Sequence, residues 1–263
     1  MIIYFSGTGN CLSIARQLSE KTGQSIMSIY EAAQTDLTQE EIVGLVYPSY
    51  YFNPPAVVSE LVPHLSISPN AYTFIVVPCG AQTGNSIWNI SRILKSKGIS
   101  LDYCHKVRVP DCSAIGFGRN PNDQQWKFAK YASRVETITS DINARRRRHH
   151  YGSWGPAGWI CALPAVKRKT LPLLQPEVNT DKCIGCETCV RVCPQKNIVM
   201  TDPPAHTPTA TPHTTAQIGN RCVQCLSCVH FCPQQAIEIN GKPTNKQHQY
   251  HHPLIRLKDM LRD

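Results

Sequence analysis

Long apolar runs are missing from this chain of 263 residues. Stretches such as Tyr72–Val77 fall far short of the roughly 18 residues that a membrane-spanning helix needs, so no transmembrane helix is expected. No leader is expected either: Met1-Ile2-Ile3-Tyr4-Phe5 runs straight into a glycine turn. The expected location is therefore the cytoplasm. Acidic residues are scarce, with 18 Asp and Glu against 27 Lys and Arg, a formal net charge of +9. No Gly-Lys-Ser/Thr follows the first glycines, which excludes a Walker loop, and the Gly-x-Gly-x-x-Gly dinucleotide fingerprint is incomplete. Cysteine, by contrast, is abundant at 13 residues. In a reducing compartment such cysteines bind metal more often than they form disulfides.

Eight of the cysteines form an internal repeat. Cys183-x2-Cys186-x2-Cys189-x3-Cys193-Pro194 recurs as Cys222-x2-Cys225-x2-Cys228-x3-Cys232-Pro233. Each copy matches the bacterial pattern for a [4Fe–4S] cluster, in which three closely spaced cysteines wrap one cube and the fourth ligates the other. The expected ligand sets are Cys183, Cys186, Cys189 and Cys232 for the first cluster, and Cys222, Cys225, Cys228 and Cys193 for the second. Zinc knuckles pair two Cys-x2-Cys units and lack the evenly spaced triplet. The remaining Cys11, Cys79, Cys104, Cys112 and Cys161 stand alone and read as small, mostly buried thiols, with Cys11 and Cys79 near proposed ligand loops.

The first 150 residues alternate short apolar strands with helices. Strands are expected at residues 2–5, 25–30, 42–47, 72–77 and 101–109, and helices at 12–21, 55–65 and 85–97. A long helix from Asn120-Pro121 carries the stripe Phe128, Tyr131, Val135, Ile138 and Ile142 and ends in Arg145–Arg148. This predicts an α/β domain, a doubly wound parallel five-stranded sheet. Ser6-Gly7-Thr8-Gly9-Asn10 then links the first strand to the first helix, where backbone N–H groups and hydroxyls can hold a phosphate without a cationic side chain. Two further loops close strands three and four. Pro48-Ser49-Tyr50-Tyr51-Phe52-Asn53-Pro54 offers aromatic faces, and Cys79-Gly80-Ala81-Gln82-Thr83-Gly84 offers close backbone approach. Together they fit FMN.

These residues are recognisable. Tyr4–Asn10 resembles the phosphate-loop signature of flavodoxins, with Cys11 where those usually carry Thr or Ser. Pro48–Pro54 and Cys79–Gly84 look like the two flavin-ring loops. The whole chain is similar to the flavodoxin–ferredoxin fusion ("ferrodoxin") family of anaerobic bacteria and archaea. The resemblance implies a flavodoxin-like FMN domain and an α+β two-cluster ferredoxin domain, which the residues place at 1–150 and 179–242, with a linker over 151–178 and a tail over 243–263. It implies low-potential electron transfer and redox protein partners, and no nucleic acid is expected. FMN and two clusters bring the holoprotein to roughly +3, leaving an excess that would favour an acidic ferredoxin or reductase.

Two other functions fit the residues. One is a flavin-dependent reductase of a small organic substrate, with Asp111 or Tyr51 as the acid. The other is a basic module in which Arg145–Arg148, with Trp154 and Trp159, touches nucleic acid or an anionic membrane. A solvated helix end explains the same basic run more simply. The Pro/Thr-rich stretch 202–217 reads as an insertion without a core, and the residues after His252 as a short helix with Leu254, Leu257 and Leu261 on one side.

Overall fold

The computed structural model describes residues 1–149, 163, 165–166, 169, 171–202 and 214–261. In chain order the first part folds as β1 (Ile2–Tyr4), α1 (Asn10–Thr22), β2 (Ile26–Ser28), α2 (Ile29–Ala32), β3 (Asp36–Leu37), β4 (Ile42–Val46), α3 (Ala56–Leu61), β5 (Ser66–Ile67), β6 (Tyr72–Cys79), α4 (Ser86–Ser96), β7 (Tyr103–Arg108) and α5 (Phe128–Asn143). Five strands form one all-parallel sheet in the order β2-β1-β4-β6-β7. That is the flavodoxin-like doubly wound order, whose ligands sit beyond the carboxyl ends of the strands.

Burial explains why these segments are strands. All eight residues of β6 are buried, as expected of a central strand covered on both faces. On one face, Ile14, Ala15 and Leu18 of α1 and Tyr131, Val135, Ile138 and Ile142 of α5 pack with Ile2, Val46, Phe74, Val76, Tyr103 and Val107. Residues of the opposite parity, Ile3, Leu45, Ile75 and Val77, are equally buried and by strand alternation face the other way. Gly44 lets the sheet close: a Cβ there would stand 2.0 Å from the ring of Phe74 on the neighbouring strand.

Several boundaries differ from expectation. Strand two ends at Ser28, because the Ser28 hydroxyl and the Glu31 carboxylate form a reciprocal capping box that starts α2. The predicted helix 55–65 stops at Leu61, and a 3-10 turn containing Pro63 follows. A two-stranded parallel pair, β3 with β5, is too short to leave a periodic signal. The helix expected from Asn120 begins as a 3-10 segment, Pro121–Lys127, and becomes α-helical only at Phe128.

The second part comprises β8 (Pro176–Val178), α6 (Thr188–Val192), β9 (Ile198–Thr201), β10 (Thr215–Ile218), α7 (Ser227–Phe231) and β11 (Ile237–Ile239). The two expected small strands are present as β9 and β11, each in an antiparallel pair, β9 with β10 and β11 with β8. Strand β8 lies in the stretch read as linker, where a proline masked a three-residue strand, and β10 lies at the end of the Pro/Thr-rich stretch. Trp154, Trp159, Cys161 and most of that stretch, 203–213, lie outside the described residues.

The C-terminal stretch is not a loose tail. Tyr250, His252, Ile255 and Met260 are buried, while Leu254 and Leu257 of the expected apolar stripe are exposed. Among the described residues after His252, a 3-10 turn, Leu257–Asp259, forms where a short helix was expected. By contact the described residues divide into two compact units. One contains Met1–Ser6, Asn10–Asp111 and Gln125–Lys167; the other contains Gly7–Gly9, Cys112–Gln124 and Arg168–Asp263. No helix among the described residues is long and apolar enough to cross a membrane.

Candidate functional site

The eight repeat cysteines gather around two small cavities. One is lined by Cys183, Cys186, Cys189 and Cys232, the other by Cys193, Cys222, Cys225 and Cys228. The fourth cysteine of each motif thus stands in the other motif's cavity. Among the described residues, no three His, Cys, Asp or Glu converge closely enough to hold a single metal ion. The thiols ring a volume instead of meeting at a point.

The backbone explains how each ring is built. Left-handed residues recur at matching places: Gly185 and Gln224, Glu187 and Leu226, Lys196 and Gln235. Each pair holds the same offset from its motif's cysteines. Successive left-handed turns point backbone N–H groups into a concavity that suits anionic sulfur. Two such donors reach thiols at equivalent positions, Asn197 N to Cys193 Sγ at 3.4 Å and Ala236 N to Cys232 Sγ at 3.2 Å. Glu187 and Leu226 then lead into α6 and α7, each carrying the third cysteine of its motif.

The electrostatics suit a cationic centre. Burial pushes the Cys189 thiol up to about 12, and the neighbouring Cys232 and Cys183 push it the same way. Burial raises Cys225 to about 11, with Cys193 and Cys222 adding to the effect. Cys228 is driven higher still by burial and by its three cavity partners. Four thiolates sharing such a volume need positive charge among them, which the iron of a cluster would supply. The residues present fit a cluster in each cavity.

The three other loops follow β1, β4 and β6, adjacent strands of the sheet, at their carboxyl ends. The turn Ser6–Asn10 is buried along its whole length. Among the described residues nothing accepts from the backbone N–H of Gly7 or Thr8. Buried N–H groups without acceptors are rare, and at the mouth of a helix they suit a phosphate. The carbonyl side of the turn is occupied: Ser227 Oγ donates to Gly7 O at 2.6 Å, and His252 N donates to Thr8 O at 2.9 Å. Thr8 Oγ1 lies 3.0 Å from Cys112 Sγ, a partner that sequence spacing could not reveal.

After β4, Tyr50 and Asn53 exchange two backbone hydrogen bonds around Tyr51 and Phe52, both at positive φ. This is the pattern of a type I′ turn, built here on two aromatics. Phe52 O accepts from Asn85 N at 2.8 Å, and Ser49 Oγ donates to Thr83 O at 2.9 Å, so the two loops are tied together. Gly84, at φ +56°, makes the tie possible, since a Cβ would stand 2.5 Å from Phe52 O. Cys79 ends β6, its thiol raised to about 11 by burial. Gly80 O accepts from Lys127 Nζ, and a Cβ at Gly80 would collide with Asp111. Thr83 Oγ1 and Ser86 Oγ are buried without a hydrogen-bond partner among the described residues. Orphaned donors beside an aromatic turn fit the polar edge of a flavin ring.

Residues 182–236 match the family model described as a 4Fe-4S dicluster domain. The chain joins a flavodoxin-like sheet to a dicluster domain. Among solved structures it is similar to a flavodoxin from Megasphaera elsdenii (16% identity over 40% of this chain and 82% of that one, TM-score 0.31). It is also similar to a flavodoxin from the domain Archaea (12%, 51% and 96%, TM-score 0.34). A third is an FMN-dependent NADH-azoreductase from Bacillus anthracis (14%, 54% and 98%, TM-score 0.36). Likeness at this level adds nothing to the strand order. No curated protein matches the chain.

The basic run is less available than its sequence implies. Arg145 pairs with Glu41, Arg146 with Asp141 and Arg147 with Asp102. Three of its four guanidinium groups are engaged within the protein.

Proposed function

We propose that this protein passes electrons between FMN and two [4Fe–4S] clusters, linking a redox donor to an acceptor protein. The observation that supports this most strongly is the pair of four-cysteine cavities with Cys193 and Cys232 exchanged. Cys183, Cys186, Cys189 and Cys232 would hold one cluster, and Cys193, Cys222, Cys225 and Cys228 the other. The clusters supply one-electron transfer, and FMN adds exchange between two-electron and one-electron steps.

The chain's own residues set the conditions. The N–H groups of Asn197 and Ala236 lower the cost of negative charge on Cys193 and Cys232. The amides of Gly7 and Thr8 would take the FMN phosphate. Tyr50, Tyr51 and Phe52 would flank the ring, and the 79–84 loop, held by Lys127 on Gly80 O, would face its polar edge. Cys186 and Ile184 are exposed, which makes the first cavity the favoured point of exchange with an outside partner.

Iron, acid-labile sulfide and flavin measured on anaerobically purified protein test this reading. About eight irons, eight sulfides and one FMN per chain are expected. Iron at that level with no flavin retained after reconstitution would withdraw the flavin assignment and leave a two-cluster ferredoxin.

A further inference from the structure

A separate cavity of about 400 Å³ opens along β7, the edge strand of the sheet. None of the residues of loops 6–10, 48–54 and 79–84 lines it. Its volume lies in the range of small-molecule pockets. Six cationic side chains border it and no carboxylate does. Two of them are occupied, Lys106 by Gln82 Oε1 at 2.6 Å and Lys127 by Gly80 O at 2.7 Å. The other four, Arg108, Lys130, Arg134 and Arg148, have no acidic partner among the described residues. Arg148 is thereby set apart from the three arginines before it, each of which meets a carboxylate. Unpaired like charges converging on one cavity repel one another, and an anion relieves that repulsion.

Two more features narrow the class of anion. His105 lines the cavity at 7% exposure. Its Nδ1 lies 2.7 Å from Lys106 O, so Nδ1 carries the proton and Nε2 is an acceptor. Nε2 is buried and has no partner among the described residues. Burial, reinforced by Arg148 and Arg134, lowers the imidazole to about 4, so it stays a neutral acceptor near pH 7. An acceptor among cations calls for a ligand that brings a hydroxyl or amino hydrogen as well as negative charge. Trp126, also lining the cavity, is 60% exposed and presents a flat apolar face.

We propose that this cavity binds a nucleoside polyphosphate, with phosphates on Arg108, Lys130, Arg134 and Arg148, a ribose hydroxyl on His105 Nε2 and the base against Trp126. Bare phosphate would leave His105 and Trp126 unused. A neutral nucleoside would leave four cations unpaired. The test is isothermal titration of the holoprotein at low ionic strength with ADP, adenosine and pyrophosphate. ADP is expected to bind saturably at one site, pyrophosphate about tenfold more weakly, and adenosine not measurably. Arg134→Glu should weaken ADP by about tenfold or more, and His105→Phe should weaken ADP while leaving pyrophosphate unchanged. Iron and flavin content equal to the parent protein certifies that both variants are folded. Absence of saturable ADP binding, ADP affinity indifferent to Arg134→Glu, or pyrophosphate binding as tightly as ADP would each overturn the proposal.

Discussion

Gly84 shows what one missing side chain does. It holds φ +56°, a conformation that costs a residue with a Cβ about 1–2 kcal/mol. Its Cα also faces the backbone of Phe52, so a methyl group would force apart the loops that flank the proposed flavin. Gly84→Ala is expected to lower bound flavin per chain at least severalfold while iron content stays unchanged, read by absorbance and iron assay on the same sample. The sequence marked this glycine as a place of close approach, but not that the approaching group is Phe52, since that contact depends on tertiary pairing of two loops. His105 is the other residue with a measurable consequence, and its periodic position in a strand gave no hint of it. The folded imidazole titrates near 4 against an ordinary value of 6.5. Between those values the unfolded chain binds the proton and the folded one does not. Stability is therefore intact above pH 6.5 and lost as pH falls toward 4, with a slope of at most about 1.4 kcal/mol per pH unit from this group. Denaturant titrations at pH 7 and pH 5 should show a smaller acid loss in His105→Phe than in the parent protein.

The turn 50–53 carries the same logic at the scale of an element. A type I′ turn favours Asn and Gly, because both central residues need positive φ. Here they are Tyr51 and Phe52, at φ 49° and 62°. Bulky residues held in that region carry strain of order 1–3 kcal/mol each, and such strain gathers at ligand sites. Replacing the pair by Tyr51→Asn and Phe52→Gly is expected to stabilise the flavin-free protein by about 1–2 kcal/mol and to weaken FMN binding at least tenfold. Chemical denaturation of the flavin-free protein and flavin fluorescence titration measure the two effects. A variant that gained stability and kept its flavin affinity would show that the aromatics do not serve the ring. Sequence reading located this loop from its aromatics and its place after β4. The turn type was hidden, because neither central residue, Tyr51 or Phe52, is a usual turn residue. The main strands were legible for the opposite reason: the central strands β4 and β6 are buried and need continuous apolar runs. Elements of two or three residues, such as β3, β5 and β8, leave no pattern long enough to read. The start of α5 was misplaced because Pro121 opens a 3-10 helix as readily as an α-helix.

At the scale of the whole molecule, the legible part is the part fixed by covalent spacing. The triplet-plus-one repeat implied exchange of the fourth cysteine between halves; Cys193 lines one cavity with Cys222, Cys225 and Cys228, and Cys232 lines the other with Cys183, Cys186 and Cys189. Contacts without a spacing rule stayed hidden, such as Ser227 on Gly7 O or the burial of Tyr250 and Ile255. The net charge was legible only as a total. The +9 excess was read as favouring an acidic partner, and the sequence did not show that Arg145–Arg147 are ion-paired while Arg108, Lys130, Arg134 and Arg148 line one cavity. The exchange of fourth cysteines makes a prediction that separates it from ligation within each motif. Cys186→Ser with Cys232→Ser removes two ligands from one cavity and none from the other, although the two positions belong to different motifs. Cys225→Ser with Cys232→Ser removes one ligand from each cavity, although both positions belong to the same motif. Under exchange, the first double variant should retain about four irons per chain and a single cluster signal by electron paramagnetic resonance after reduction, while the second should retain far fewer. Ligation within each motif requires the reverse order. Loss of a cluster destabilises either variant, because the bound cluster is part of the folding free energy. The ranking of the two iron contents, read on proteins purified side by side without oxygen, is the quantity that decides.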